Sequence, residues 1–406
     1  MKIFLTLAVL LTIQSALSLR GGFTFLRLVR RSRKTPPGGY HPPSAVIVPC
    51  KGDDEDLAEN AARFFNQDYP SYQIIFVVAS RDDPAHWRLA NLLAERQRPP
   101  GAGTGKASLV VAGLSDTNGE KVNNLLAGLK AVEPEVEALA FADIDARPRA
   151  GWLRSLIAPL GEPGITMSTG FRWYLPGRGF TSRLQSAWDA SIATMMGEHN
   201  QNFAWGGSMA IRRADFERLQ VAERYWRMTV SDDYCITRAV RDAGGGIHFE
   251  PRCLVATSGG ARFGEFLRWA NRQIIITRVY ASRFWKLGLA SYSLYAITFV
   301  WGLALIARPR SVGSVRATAA AFLIVVLALG TAKGALRSVA ARELFPEEKE
   351  TIGRYASCYW RLAWLVPWVM FFNFSVAGFI RRIEWRGAVY DLCSAKELRV
   401  VRRGGS

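Results

Sequence analysis

Phe141–Pro148, FADIDARP, decides how the rest of the chain is read, because it sets two carboxylates, Asp143 and Asp145, directly behind an apolar run. Residues Val136 to Ala142 (VEALAFA) predict a buried strand. Asp143 then falls at a strand's C-terminal end, where open α/β sheets bind their ligands. If Ile144 is extended, both acids point to one side. Two hard oxygen ligands on one side suit Mg2+ or Mn2+, which accept carboxylate, water and phosphate oxygens together. Such a metal acts as a Lewis acid on a departing diphosphate. Taken alone, an acid-x-acid stretch before a proline also fits a solvated loop.

The flanking sequence separates the two readings. Ahead of the acids, Ser44–Val48 (SAVIV), Ile74–Val78 (IIFVV) and Ser108–Ala112 predict strands. Helices are expected through Phe65, after Pro84, and over Gly119–Leu129 (GEKVNNLLAGL), with Lys121 in the first turn of the last. Behind the acids, Gly164–Gly170 predicts a strand and Phe180–Met196 a helix. Phe203–Arg212 (FAWGGSMAIR) joins Gly206 and Gly207 to a short strand, and glycines there let backbone approach a ligand closely. In SDDYCITRAVRDAG, Asp232 and Asp233 stand at a helix start, where carboxylates cap amides and oppose the dipole; a purely structural cap is the other reading. Strand and helix alternating at this pitch imply an α/β domain over residues 44–260, with a mainly parallel sheet and helices on both faces.

The flanks are apolar and basic. Ile3–Leu19 is long enough to cross a bilayer and is followed by Arg20, Arg27, Arg30, Arg31, Arg33 and Lys34. A transmembrane anchor over residues 1–20 is preferred; a cleaved signal peptide is the other reading. Residues 21–43 are expected to form a basic Pro/Gly linker. An amphipathic interfacial segment follows the domain at 261–284. A membrane region with two or three spans covers 285–381, built from the blocks Trp285–Ala307, Ala317–Leu336 and Tyr359–Ile380; the last, with Trp360, Arg361 and Pro367, is the candidate for a re-entrant or interfacial block, because three spans would put the basic tail outside. Residues 382–406 read as a basic tail held in the cytoplasm. The net charge of +18 in 406 residues clusters beside the apolar blocks, so anionic lipid is the expected partner and nucleic acid is not. Five cysteines with no CxxC pair argue against a disulfide framework and a zinc site, and for a reducing, cytoplasm-facing domain.

Six stretches carry a resemblance: PCKGDDEDLAENAARFFNQDYPSYQIIFVVASRDDPA, GEKVNNLLAGL, FADIDARP, WGGSMAIRRADF, SDDYCITRAVRDAGG and FLRW. From about Val46 to Trp269 the chain resembles glycosyltransferase family 2-like membrane enzymes and, within them, the ceramide glucosyltransferase family, family 21. The resemblance implies a GT-A, Rossmann-like catalytic domain with N- and C-terminal transmembrane helices. It implies that Asp83 helps hold a uridine nucleotide, with Pro49, Lys51, Lys121, Gly206 and Gly207 in the nucleotide-sugar site. Asp143 would bind the metal and Asp145 complete the DxD of the wider GT-A group. Asp233 would be the general base, with Asp232 where a glutamate is common. The family's (Q/R)xxRW motif reads Glu265-Phe266-Leu267-Arg268-Trp269, matching at Arg268 and Trp269 but not at Glu265.

The implied reaction is an inverting transfer of a hexose, glucose first and N-acetylglucosamine second, from a UDP-sugar to a membrane lipid hydroxyl. Ceramide leads as acceptor; a hopanoid, diacylglycerol or polyprenyl-type lipid is the alternative. Inverting transfer needs a base for the acceptor hydroxyl, a metal against the diphosphate and cations for the remaining charge, here Arg268 and Lys121. Lys121 also reads as an ordinary helix-face charge, and Trp269 as an interfacial anchor rather than a stacking platform. A nucleotide-binding membrane scaffold is the reading from outside enzymology.

Overall fold

Unbroken apolar runs become the inner strands, because a strand covered by helices on both faces has no polar side to show. The strands are β1 (Ser44–Pro49), β2 (Tyr72–Val78), β3 (Lys106–Val111), β4 (Ala138–Ala142), β5 (Ile165–Leu175), β6 (Ser208–Arg212) and β7 (Gly246–Ser258). They form one sheet in the order β3-β2-β1-β4-β6-β5-β7. β1 pairs in parallel with β2 and with β4, and β2 with β3. β6 runs antiparallel between β4 and β5. The computed structural model describes residues 1–53, 56–96, 106–199, 201–260, 262–308 and 312–403. Asp54 and Glu55 of the expected acid-rich helix entry, and Ala261 at the start of the expected interfacial segment, lie outside them.

The order fixes where a ligand can sit. From β1 the chain moves outward to β2 and β3, then returns past β1 to β4, so the topological switch lies between the C-terminal ends of β1 and β4. Beneath that crevice the core is dense with aromatics. Phe64 meets Trp152 edge-to-face at 6.0 Å, and the Trp152 indole N–H donates to Ser208 Oγ at 2.8 Å, which pairs its one polar atom.

The chain divides into two units. One comprises Ser32–Trp173, Glu198–Thr257 and Arg381–Ser406; the other Met1–Arg31, Tyr174–Gly197 and Ser258–Ile380. Three sequence expectations change here. The catalytic domain is not continuous over 44–260, because Tyr174–Gly197 belongs with the apolar helices. On its helix Phe180–Ala193, Trp188 donates to Asn373 Oδ1 at 3.0 Å and Ser186 Oγ lies 2.9 Å from the Tyr359 hydroxyl. Residues 21–34 are not linker but the second half of a helix, Lys2–Lys34. Phe25, Leu26, Leu28 and Val29 are buried at helical spacing between the arginines, and irregular chain begins only at Thr35-Pro36-Pro37. The tail is not loose: β8 (Arg382–Trp385), β9 (Ala388–Ser394) and β10 (Glu397–Arg402) form an antiparallel sheet in the order β10-β9-β8.

In the apolar unit, Lys2–Lys34, Ser282–Ala307 and Gly313–Leu344 are long and apolar enough to cross a membrane. The third C-terminal block is not. It breaks into Cys358–Arg361 and Val366–Phe379, with Pro367 in the first turn of the latter. Fourteen residues of helix span about 21 Å, short of a hydrocarbon core of about 30 Å. The helix Phe263–Tyr280 covers its buried face, Phe266, Ala270 and Ile274 among it, against Val366–Phe379 and Ser282–Ala307.

Candidate active site

Asp143 follows the last residue of β4, at the switch point. The residue between the two acids is not extended, as the sequence reading supposed: the Ala146 N–H donates to the Asp143 carbonyl at 3.0 Å, closing a turn. The turn keeps the acids together. Ala142, Ile144 and Ala146 are buried while Asp143 and Asp145 stay half-exposed.

Two further segments close on them. Lys121, from the first turn of the helix Glu120–Leu129, places Nζ 2.7 Å from Asp143 Oδ1 and 3.1 Å from Asp232 Oδ2. Asp232 opens the helix Asp232–Asp242, whose N-terminus is capped by Ser231 Oγ accepting from the Tyr234 N–H at 3.2 Å. Gly206 and Gly207 make room for this cluster. A Cβ on Gly206 would stand 2.1 Å from Asp232 Oδ2 and 2.7 Å from Lys121 Nζ; one on Gly207 would stand 2.8 Å from Asp143 Oδ2. In this structure Gly206 allows a close approach to the charged cluster, and Gly207 one to the Trp205 ring first, at 2.3 Å, and to Asp143 second.

Crowded charge sets the protonation pattern. Burial raises the Asp143 pKa, but the Lys121 ammonium outweighs it and holds that carboxyl below the usual range. Asp145 moves the other way, raised by burial and by Asp143 beside it. Asp232 is pushed up to about 7 by burial, with Asp233 and Asp143 adding to it against Lys121. Burial would lower Lys121, but its acid neighbours raise it, so it stays charged.

The remaining expected positions fall nearby or elsewhere. Asp83 is buried, and its Oδ1 accepts from the Gly52 N–H at 2.8 Å and the Ala85 N–H at 2.9 Å. It thus ties the loop after β1 to the helix Pro84–Arg96. Pro49 ends β1, and Lys51 two residues on pairs with Glu120 at 2.6 Å. Asp233 Oδ1 accepts from Ser231 Oγ at 2.6 Å and from the Tyr234 N–H at 2.7 Å. Arg268 and Trp269 lie in the other unit, on Phe263–Tyr280. Arg268 is exposed, and Trp269 packs edge-on to Tyr174 at 5.3 Å and Trp188 at 5.1 Å. Glu265, the residue that departs from the motif, accepts from the Arg262 N–H at 2.8 Å and so caps that helix.

Two cations escaped the sequence reading. Arg172, inside β5, stacks its guanidinium 5.6 Å from the Trp205 ring centre and lowers the pKa of both Asp143 and Asp145. Arg386 acts on the same two acids from the β8–β9 turn and donates to the Lys51 carbonyl. Nothing in the sequence marks Arg172. Arg386 had a partial signal: Gly387 between two runs of alternating apolar residues marks a turn, though arginine is not a favoured residue in it.

As a metal site, Asp143 and Asp145 supply two carboxylates, and no group of three His, Cys, Asp or Glu ligands occurs among the described residues. That donor set fits Mg2+ or Mn2+, which keep water and phosphate in their shells, and not a closed zinc cage.

A mainly parallel sheet with a paired-acid turn at its switch point defines the GT-A class of glycosyltransferase. The chain belongs to glycosyl transferase family 21, the ceramide glucosyltransferase family, whose model matches residues 9–398. Among solved structures it is similar to a mannosyltransferase from Pyrobaculum calidifontis in complex with GDP-mannose and Mn2+. That likeness is 16% in identity, covers 85% of this chain and 100% of the other, and has a TM-score of 0.51. It is also similar to glucosyl-3-phosphoglycerate synthase from Mycobacterium tuberculosis, at 12% identity over 62% of this chain and 82% of that one, with a TM-score of 0.36. The protein is therefore a glycosyltransferase carrying helices able to span a membrane.

Proposed function

We propose that this enzyme is an inverting, metal-dependent glycosyltransferase that moves a hexose, glucose first, from a UDP-sugar to the hydroxyl of a membrane lipid, ceramide first. The observation that carries it is the charged cluster of Asp143, Asp145, Asp232 and Lys121 at the switch point of a family 21 chain. Asp143 and Asp145 would hold the divalent ion, and the chemistry that ion supplies is neutralisation of the diphosphate. The Mn2+ and GDP-mannose bound by the Pyrobaculum enzyme support a metal and a nucleotide sugar here. Asp233, its carboxylate oriented by Ser231 and the Tyr234 amide, takes the acceptor proton. Lys121 offers its ammonium to the phosphates, and Asp83 braces the nucleotide loop. Arg268 and Trp269 are assigned to the leaving group and the acceptor side by the family motif.

The membrane arrangement follows from parity. Arg381–Ser406 belongs to the same unit as Ser32–Trp173, so an even number of crossings separates them. Ser282–Ala307 and Gly313–Leu344 supply two, with the short Val366–Phe379 crossing none. Cationic flanks then keep the catalytic unit in the cytoplasm.

The test is sugar transfer by purified protein in liposomes. UDP-glucose and UDP-N-acetylglucosamine are offered against ceramide, diacylglycerol, hopanoid and polyprenyl phosphate, with Mn2+, Mg2+ or EDTA, and products are read by mass spectrometry. The expected product is glucosylceramide, abolished by EDTA. Protein that binds UDP but transfers neither sugar to any lipid would make it a scaffold.

A further inference from the structure

The β8–β9 hairpin puts an arginine where a turn favours glycine or asparagine. Trp385 pairs with Ala388, leaving Arg386 and Gly387 as a two-residue turn with φ of +46° and +82°. Both angles positive is the type I′ geometry, and a branched, charged L-residue pays for entering it. Among the described non-glycine residues only Gln220 and Met228 share a positive φ. Backbone strain of that kind clusters at ligand sites.

Three contacts fix where the tip lies. The Tyr390 hydroxyl accepts from the Glu120 N–H at 3.2 Å, at the start of the helix that bears Lys121. Arg403 pairs with Asp116, just ahead of that helix. Arg386 donates to the Lys51 carbonyl, in the loop leaving β1, on the β1 side of the switch point. The hairpin thus sets a guanidinium against one wall of the crevice whose other wall ends in Asp143.

We propose that Arg386 is a donor-binding residue, contacting the diphosphate of the nucleotide sugar from the hairpin tip. This rests on the functional reading above. In transfer the acceptor oxygen gives its proton to the base and its lone pair bonds to the sugar C1. The bond from C1 to the β-phosphate oxygen breaks, and the electron pair leaves with the nucleoside diphosphate. A guanidinium grips that growing charge through paired N–H donors. The C-terminal sheet is then part of the active site, and the donor site is complete only when the end of the chain has folded back onto the helix after Gly119.

The test uses full-length protein and UDP with Mn2+ as probe, with donor and acceptor KM measured alongside. Arg386→Gln should weaken UDP binding about tenfold or more and raise the donor KM while leaving the acceptor KM unchanged. Arg386→Lys should recover part of the loss. Arg386→Gly relieves the left-handed backbone and so keeps the turn, yet should bind UDP as poorly as the glutamine variant. Wild-type affinity in the glycine or glutamine variant overturns the proposal. A wild-type protein with no affinity for UDP overturns the functional reading itself, and this proposal with it.

Discussion

Replacing Gly206 by alanine tests whether the cluster of Lys121, Asp143 and Asp232 is the catalytic centre. The new methyl carbon would lie 2.1 Å from Asp232 Oδ2 and 2.7 Å from Lys121 Nζ. Favourable contacts sit near 3.5 Å, so the carboxylate or the backbone must give way by roughly 1 Å. Asp232 has little room to do so. It is 3% exposed, and its carbonyl accepts from the Trp226 indole N–H at 2.9 Å. The displacement therefore passes to Lys121, and through its 2.7 Å contact to Asp143. Misplacing a reacting group by about 1 Å costs on the order of 100-fold in rate, equivalent to about 2.7 kcal/mol of barrier. Gly39→Ala is the control, since a Cβ there meets nothing within 4 Å. Steady-state transfer is measured for both variants, together with UDP release in the absence of acceptor. Wild-type kcat/KM in Gly206→Ala, or equal loss in the two variants, would refute the reasoning.

Asp233→Asn keeps an oxygen for Ser231 and the Tyr234 amide but removes the base, so kcat should fall by about 10²–10⁴-fold with UDP affinity unchanged; parallel loss of UDP binding would argue for a structural role. Glu250 is buried and clamped by Arg252 at 2.7 and 2.8 Å, so Glu250→Gln should lower unfolding stability by about 3 kcal/mol, read as a shift in the denaturation midpoint. Asp232, raised to about 7 when folded, holds a proton that the unfolded chain releases near pH 4; its contribution to stability falls as pH climbs between about 4 and 7. Asp232→Asn removes that dependence, so its midpoint should gain on the wild type as pH rises, and a pH-independent difference would sink the assignment. Cysteines introduced at Arg63 and Lys396 should be labelled from the same face of sealed vesicles by an impermeant reagent; opposite faces would break the parity argument.

The catalytic sheet is legible in the sequence for a physical reason. β1, β2 and β4 are buried on both faces, so each is a short, largely apolar run whose length and flanking turn residues, rather than its periodicity, mark it as a strand. Asp143 is legible because it follows such a run directly. Lys121 is not: one lysine in a helix's first turn looks the same whether it faces water or two carboxylates, and only the fold brings Asp143 and Asp232 to it. Glu265, where the chain departs from the family motif, caps the helix Phe263–Tyr280, a local role that the motif comparison does not reveal.

The C-terminus shows how composition conceals structure. Counted by charge, residues 382–406 are a basic tail, with arginines at 382, 386, 399, 402 and 403. Taken at a period of two, Ala388, Tyr390 and Leu392 turn inward while Val389, Asp391 and Cys393 stay partly exposed, which is a strand with one covered face. The same segment bears on the proposed topology. Hydropathy admits Tyr359–Ile380 as a third crossing, but the basic tail behind it already marks it in the sequence as the candidate block that does not span, since a third crossing would put the tail on the far side of the bilayer from Lys51 and Glu120. The contacts of Arg386 and Tyr390 with those residues support the two-crossing path proposed above, and Pro367 stands in the first turn of the short helix Val366–Phe379. If Arg386 contacts the donor as proposed, the return of this segment constrains the membrane path more strongly than the apolarity of the helices themselves.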